Sequence, residues 1–187
     1  MNQSSVRKAF TPTGKLRASI NLGNPLLANR SNETDQPFGI SIDLATELAR
    51  RLEVDLDLVV FDAAGKSVSA VESEEADVGF FAIDPKRGEK INFTAPYVLI
   101  TGSYAVRVGS EISELGQVDR KNQTVVVGRG SAYDLYLSRT LENATIIYAP
   151  TSADVVDVFF DGNYDVAAGV TQQLELDKRR HPELQIL

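Results

Sequence analysis

The chain has 187 residues, 43% apolar and 24% charged, with 26 Asp and Glu against 19 Lys and Arg for a formal net charge of −7. This acidic balance, without a Lys/Arg cluster, speaks against nucleic acid, and no apolar run approaches the roughly 18–20 residues of a membrane span, so no membrane insertion is expected. With no cysteine and a single histidine, His181, disulfides, thiolate chemistry and cysteine metal sites are excluded, and no His-based triad, metal site or cofactor is expected.

The first ten residues, Met-Asn-Gln-Ser-Ser-Val-Arg-Lys-Ala-Phe, lack the apolar core and small-residue cleavage site of a secretory signal. Either such a signal has been removed or none exists, and the second case leaves a cytoplasmic location open. Leu16–Leu22 is expected to be a strand, closed by the turn formers Gly23-Asn24-Pro25. Polar Arg30–Gln36 is expected to be a loop. From Ser41, the residues Leu44, Ala45, Leu48 and Leu52 fall at helical spacing, with Ser41 and Asp43 at the start. Leu56, Leu58 and Val60 alternate as a strand, and Val59 and Phe61 suggest that its other face is covered too. Val68 and Val71 mark a short helix, and Asp77–Phe81 another strand. A second series follows, with strands at Ser103–Val108, Thr124–Val127, Thr145–Tyr148 and Val166–Ala168 and helices at Ala132–Leu141, Ala153–Phe160 and Thr171–Lys178. Leu184–Leu187 begins one more strand. Strands separated by short helices imply βαβ units and an α/β fold with mostly parallel sheets.

The two halves resemble each other. Leu56–Phe80 runs strand, helix, then Ala-Asp-Val-Gly, and Thr145–Gly169 runs strand, helix, then Tyr-Asp-Val-Ala-Ala-Gly. Any two βαβ units look alike, so this pattern is compatible with simple repetition of a common unit. It is equally compatible with two similar lobes facing across a cleft, where ligands of open α/β sheets bind at the carboxyl ends of strands.

Two segments carry chemical content. In Ile83-Asp-Pro-Lys-Arg87, Asp84 suits a helix N-cap and Pro85 the first helical position. Arg87 then stands in the first turn, near a strand end, where its planar fork can hold a carboxylate through two parallel hydrogen bonds. The competing reading is a surface arginine paired with an acid such as Glu89. In Val127-Gly-Arg-Gly-Ser-Ala-Tyr-Asp134, glycines turn the chain and Ser131 opens a helix, with Asp134 placed as in a capping box. Free amides there could bind an anion, or the segment could be a plain helix cap. The Gly128-x-Gly130 pair is not a dinucleotide fingerprint, because Tyr133 replaces the third glycine.

Five motifs stand in order and register: Phe38-Gly-Ile-Ser-Ile-Asp-Leu-Ala45, the Asp77-to-Arg87 stretch, Phe93-Thr-Ala-Pro-Tyr97, Gly128-x-Gly-Ser and Asp165-Val-Ala-Ala-Gly169. Together they resemble the type 2 periplasmic solute-binding proteins, in particular the family 3 group that includes the polar amino-acid receptors. The resemblance covers about Leu16 to Leu187. It implies a two-lobed, Venus-flytrap α/β fold, with a first lobe over 11–100 and a second over 101–187. It also implies a non-catalytic receptor for a small carboxylate ligand, an ABC transporter permease as partner, and a periplasmic location. By the same resemblance Arg87 clamps the ligand carboxylate and Ser131 adds hydrogen bonds. Phe81, Ala82 and Asn24 in the first lobe and Ala132, Val170 and Thr171 in the second complete the expected ligand contacts, with Asn21 and Lys66 as further polar groups.

Departures from the family pattern alter the expected ligand. Ala82 stands where amino-acid receptors carry Ser or Thr, and Val170 where they carry the Asp that holds the α-ammonium. Asn24 and Ala64 replace aromatics that usually cover the ligand. A buried ammonium without a carboxylate is costly, so a carboxylate lacking the amino group fits better than an ordinary α-amino acid. The family also continues beyond the point matching Leu187, so the first lobe is expected to lack its C-terminal return segment. Two alternatives stay open: an enzyme on the same scaffold, similar to the cyclohexadienyl dehydratases, with Asp84 as the nearest acid; and a signal-less ligand-sensing module.

Overall fold

The computed structural model describes residues 3–187. The chain divides into two compact units, Met1–Phe93 and Thr94–Leu187. The first begins with α1 (Gln3–Phe10) and the strand β1 (Leu16–Asn21). A small hairpin, β2 (Asn29–Arg30) with β3 (Pro37–Phe38), precedes α2 (Ile40–Leu52). Then come β4 (Leu56–Phe61), α3 (Ala64–Glu72) and β5 (Val78–Gly79).

β1 is the central strand of a three-stranded sheet, paired in parallel with β4 on one side and β5 on the other. Leu16, Ala18, Ser19 and Ile20 are fully buried, so both faces of β1 are covered. Ala45 of α2 packs with Ala18 and Ile20 on one face, together with Leu56, Leu58 and Val60. On the other face the Ser19 hydroxyl donates to the Ser67 carbonyl of α3 at 2.8 Å and lies 2.6 Å from the Ser67 hydroxyl. Because the Ser19 proton goes to the carbonyl, Ser67 is the donor between the two hydroxyls.

Several sequence expectations shift in detail. The buried stripe of α2 is Ser41, Ala45 and Ala49, and Leu44 is exposed. The α1 helix was not anticipated, nor were the two-residue strands that flank the predicted polar loop, since so short a strand carries no periodicity. The strand expected over Asp77–Phe81 contracts to Val78–Gly79. At its start the Asp77 carboxylate takes the place of a ladder partner. It accepts the Arg17 backbone N–H at 2.8 Å and the Arg17 guanidinium at 2.6 and 3.1 Å.

The second unit contains β6 (Gly102–Arg107), β7 (Thr124–Gly128), α4 (Ala132–Thr140), β8 (Thr145–Ala149), α5 (Val155–Asp161), β9 (Val166–Val170), α6 (Thr171–Arg180) and β10 (Leu184–Ile186). They form a five-stranded sheet in the order β10-β6-β9-β7-β8. β6 pairs antiparallel with both neighbours, so it alone runs against the other four strands. Alternate residues serve opposite cores. Ala105, Val126 and Ala167 pack with Phe159 and Leu174 on one face, while Val106, Val125, Val127 and Val166 pack with Leu137 on the other. A sheet buried on both faces explains the nearly continuous apolar runs in β7 and β9.

Candidate functional site at the strand ends

In the first unit the chain leaves β5 at Gly79. A Cβ at this position would lie 2.3 Å from the Phe81 ring, so the glycine allows Phe81 to fold back over the strand. At buried Asp84 the Oδ1 atom accepts the Lys86 N–H at 2.9 Å, and the Asp84 carbonyl accepts the Gly88 N–H at 2.9 Å. Asp84 thus closes an Asx-type turn rather than acting as the expected helix cap, because the segment forms only a short 3-10 turn, Arg87–Glu89, that starts after Lys86 with no side-chain cap. The turn ends as the Arg87 carbonyl accepts the Lys90 and Ile91 amides.

This turn buries Arg87, which is 4% exposed. Its guanidinium reaches back to the strand exit and donates to the Ala82 carbonyl at 3.2 Å. Burial lowers the Arg87 pKa, against the opposing charges of Asp84 and Glu72.

Three further residues of this rim have local duties. Asn24 Oδ1 accepts the Leu26 N–H at 3.2 Å and its carbonyl accepts the Leu27 and Ala28 amides, as a turn former does. Asn21 Oδ1 accepts the Gly23 N–H at 2.9 Å. Lys66 is exposed and pairs with Asp62 at 2.8 Å, one helical turn away.

In the second unit the carboxyl ends of β7 and β9 lie side by side. Gly128 ends β7 where a Cβ would meet the Ser152 backbone at 2.8 Å, and Gly130 turns the chain with φ of 70°. Ser131 is buried and caps α4, its Oγ accepting the Asp134 N–H at 3.1 Å. The Asp134 carboxylate accepts the Gly130 N–H at 2.7 Å and the Ser138 hydroxyl at 3.0 Å. The expected capping box is displaced by one residue, because the Ser131 N–H is already given to the Gly128 carbonyl. The chain's own carboxylate thus occupies an amide that the sequence reading offered to an anion. Ala132 is the first residue of α4.

Val170 ends β9 and pairs with Gly102, the first residue of β6. Thr171 opens α6, and both its N–H and its hydroxyl donate to the Thr101 carbonyl at 3.0 Å. Its Oγ1 lies 2.8 Å from Ser103 Oγ, so Ser103 is the donor in that pair. The Tyr133 ring packs over Gly102, where a Cβ would come within 2.3 Å, and burial raises the Tyr133 pKa. Ser131, Ala132, Val170 and Thr171 therefore lie at the same end of the central strands, joined there by Ser103 and Tyr133. Those two escaped the sequence reading because nothing in Gly102–Arg107 signals an antiparallel strand.

The sequence profile of the bacterial extracellular solute-binding proteins, family 3, matches residues 17–179, across both units. The chain belongs to that family. Solved structures share its fold at about one residue in five. A cysteine-binding protein from Campylobacter jejuni superposes with a TM-score of 0.78 and 20% identity, over 97% of this chain and 73% of the other. An ancestral amino acid-binding protein, a precursor of cyclohexadienyl dehydratase, gives 0.78 and 19%, over 97% and 80%. A protein described as the binding component of an ABC transporter from Wolinella succinogenes DSM 1740, complexed with lysine, gives 0.76 and 21%, over 94% and 77%. The fold of family 3 is thus the α/β type 2 periplasmic-binding fold that the five motifs implied. No curated protein sequence matches the chain. Among the described residues no helix is long and apolar enough to cross a membrane.

Proposed function

We propose that this family 3 protein is an extracytoplasmic receptor that captures a small carboxylate-containing solute and delivers it to an ABC transporter permease. The observation that carries the proposal is Arg87. A buried guanidinium at the end of a parallel strand, held by the Ala82 carbonyl, has the planar fork that recognises a carboxylate. The fold neighbours support the same chemistry, since cysteine, lysine and amino acids in general all carry a carboxylate. In this reading Arg87, bonded to the Ala82 carbonyl, acts with the neighbouring Phe81 in the first unit, and Ser131, Ala132, Val170 and Thr171 are the candidate contacts at the strand ends of the second. An enzymatic role has less support. The acid that the sequence nominates for such a role, Asp84, is buried and accepts the Lys86 amide, a structural duty that competes with proton exchange.

The test is a thermal-shift screen of carboxylates, amino acids and polyols on the whole chain, followed by calorimetry on each ligand found. Arg87→Ala should weaken binding by about 100-fold or more, the usual scale for losing one partner of a buried charge pair. Far-UV circular dichroism controls for folding of the variant. Equal affinity of a folded Arg87→Ala variant would rule the proposal out.

A further inference from the structure

We infer that the free edge of the second unit's sheet is a dimerisation surface, on which β8 pairs antiparallel with β8 of a second copy of this chain. The surface lies wholly within the second unit and does not involve Arg87.

β8 is the last strand of its sheet. Among the described residues it pairs with β7 alone, in parallel. The Thr145 N–H goes to the Gln123 carbonyl, and at the other end the Ala149 carbonyl accepts the Arg129 N–H. Backbone groups alternate in direction along a strand. Thr145, Ile147 and Ala149 therefore face β7, while Ile146 and Tyr148 turn their N–H and C=O outward. Thr145 and Tyr148 are both exposed. Edge strands are commonly blunted by a lysine, a proline, a bulge or a covering element. The strand Thr-Ile-Ile-Tyr-Ala has no charge and no proline, and its register with β7 is unbroken. Such an edge is a template for another strand.

The charges at the two ends of β8 select the occupant. At the carboxyl end the Arg129 guanidinium stacks over the Tyr148 ring, 4.4 Å from its centroid. Among the described residues that guanidinium has no ion pair or hydrogen bond. At the amino end Glu142 gives its N–H to Asp119, and its carboxylate is likewise unpaired among the described residues. Antiparallel pairing about a two-fold axis at Ile147 sets Ile146 opposite Tyr148 of the second copy, and Tyr148 opposite its Ile146. The outward groups of both chains then satisfy one another. The same axis brings the Arg129 end of each β8 beside the Glu142 end of the other. A parallel alignment would instead set like charges together. The antiparallel contact is thus self-complementary in hydrogen bonding and in charge, and it closes at two copies.

Sedimentation equilibrium on the whole chain tests this, from about 1 μM to about 1 mM, the range suited to a contact smaller than a standard interface. The average mass should rise reversibly from one chain towards two, and less steeply in high salt, which screens exposed charges. Glu142→Arg should raise the dimer dissociation constant about 10-fold, and Arg129→Glu likewise, while the two changes in one chain should restore it. Tyr148→Pro removes one outward N–H at an edge, where proline is tolerated, and should abolish the dimer. Far-UV circular dichroism checks the folding of each variant, and if Tyr148→Pro does not fold, the charge reversals and their rescue decide alone. A wild-type chain that stays monomeric throughout overturns the inference and leaves the edge to a strand of another protein. A dimer that persists unchanged in the folded variants also overturns it, because the contact then lies elsewhere.

Discussion

A guanidinium and an ammonium carry the same charge, but only the guanidinium presents a planar fork to a carboxylate. Arg87→Lys should therefore not restore the binding lost in Arg87→Ala, and titration of both variants with the same ligand checks this. Asp119 offers a test at the same scale that is independent of any ligand. Its carboxylate accepts the amides of Glu142, Asn143 and Ala144 at 2.7 to 2.9 Å, and these bonds lower its pKa. A carboxylate depressed on folding adds stability above its unfolded pKa of about 4, and that contribution is lost as pH falls through the folded value. Asp119→Asn should lower the melting temperature at pH 7, and the gap to wild type should close in melts at progressively more acid pH. Gly128 is constrained sterically. A methyl there would sit 2.8 Å from the Ser152 backbone, so Gly128→Ala should cost about 1–3 kcal/mol in urea unfolding.

At the scale of elements, the short helix α4 depends on its start. Ser131 and Asp134 satisfy amides at opposite sides of one turn. Ser131→Ala should cost about 1 kcal/mol, and Ser131→Asp much less, as read from denaturant midpoints. The sequence contained this cap, because Ser131 and Asp134 stand three residues apart. The junction of β6 with α6 was not legible. Thr171, Thr101 and Ser103 meet only because β6 runs antiparallel to β9, and a residue separation of 68 between Ser103 and Thr171 carries no local signal. The same holds for Arg107, whose guanidinium lies 4.3 Å from the Phe159 ring centroid and donates to the Phe159 carbonyl, tying β6 to α5.

On the scale of the whole molecule, each unit has its own apolar core. The second is the more complete, with a sheet buried on both faces and helices packed against each. A fragment over residues 94–187 should fold alone and unfold cooperatively in denaturant, with tertiary signals coincident with secondary-structure signals. Non-coincident transitions would show that its packing needs the rest of the chain.

The sequence by itself determined the order of the longer strands and helices from β1 to β10, the turn-forming Asp84 before Arg87, the serine cap of α4 and the kinship with family 3. Those signals are local: apolar spacing, capping residues and glycines within a few positions of each other. Tertiary structure alone decided that Arg87 is buried, that β5 shrinks to two residues and that β6 opposes its neighbours. Each of those outcomes depends on partners far apart in the chain, as when Asp77 binds Arg17. Desolvation and long-range pairing have no period along the chain from which they could have been read.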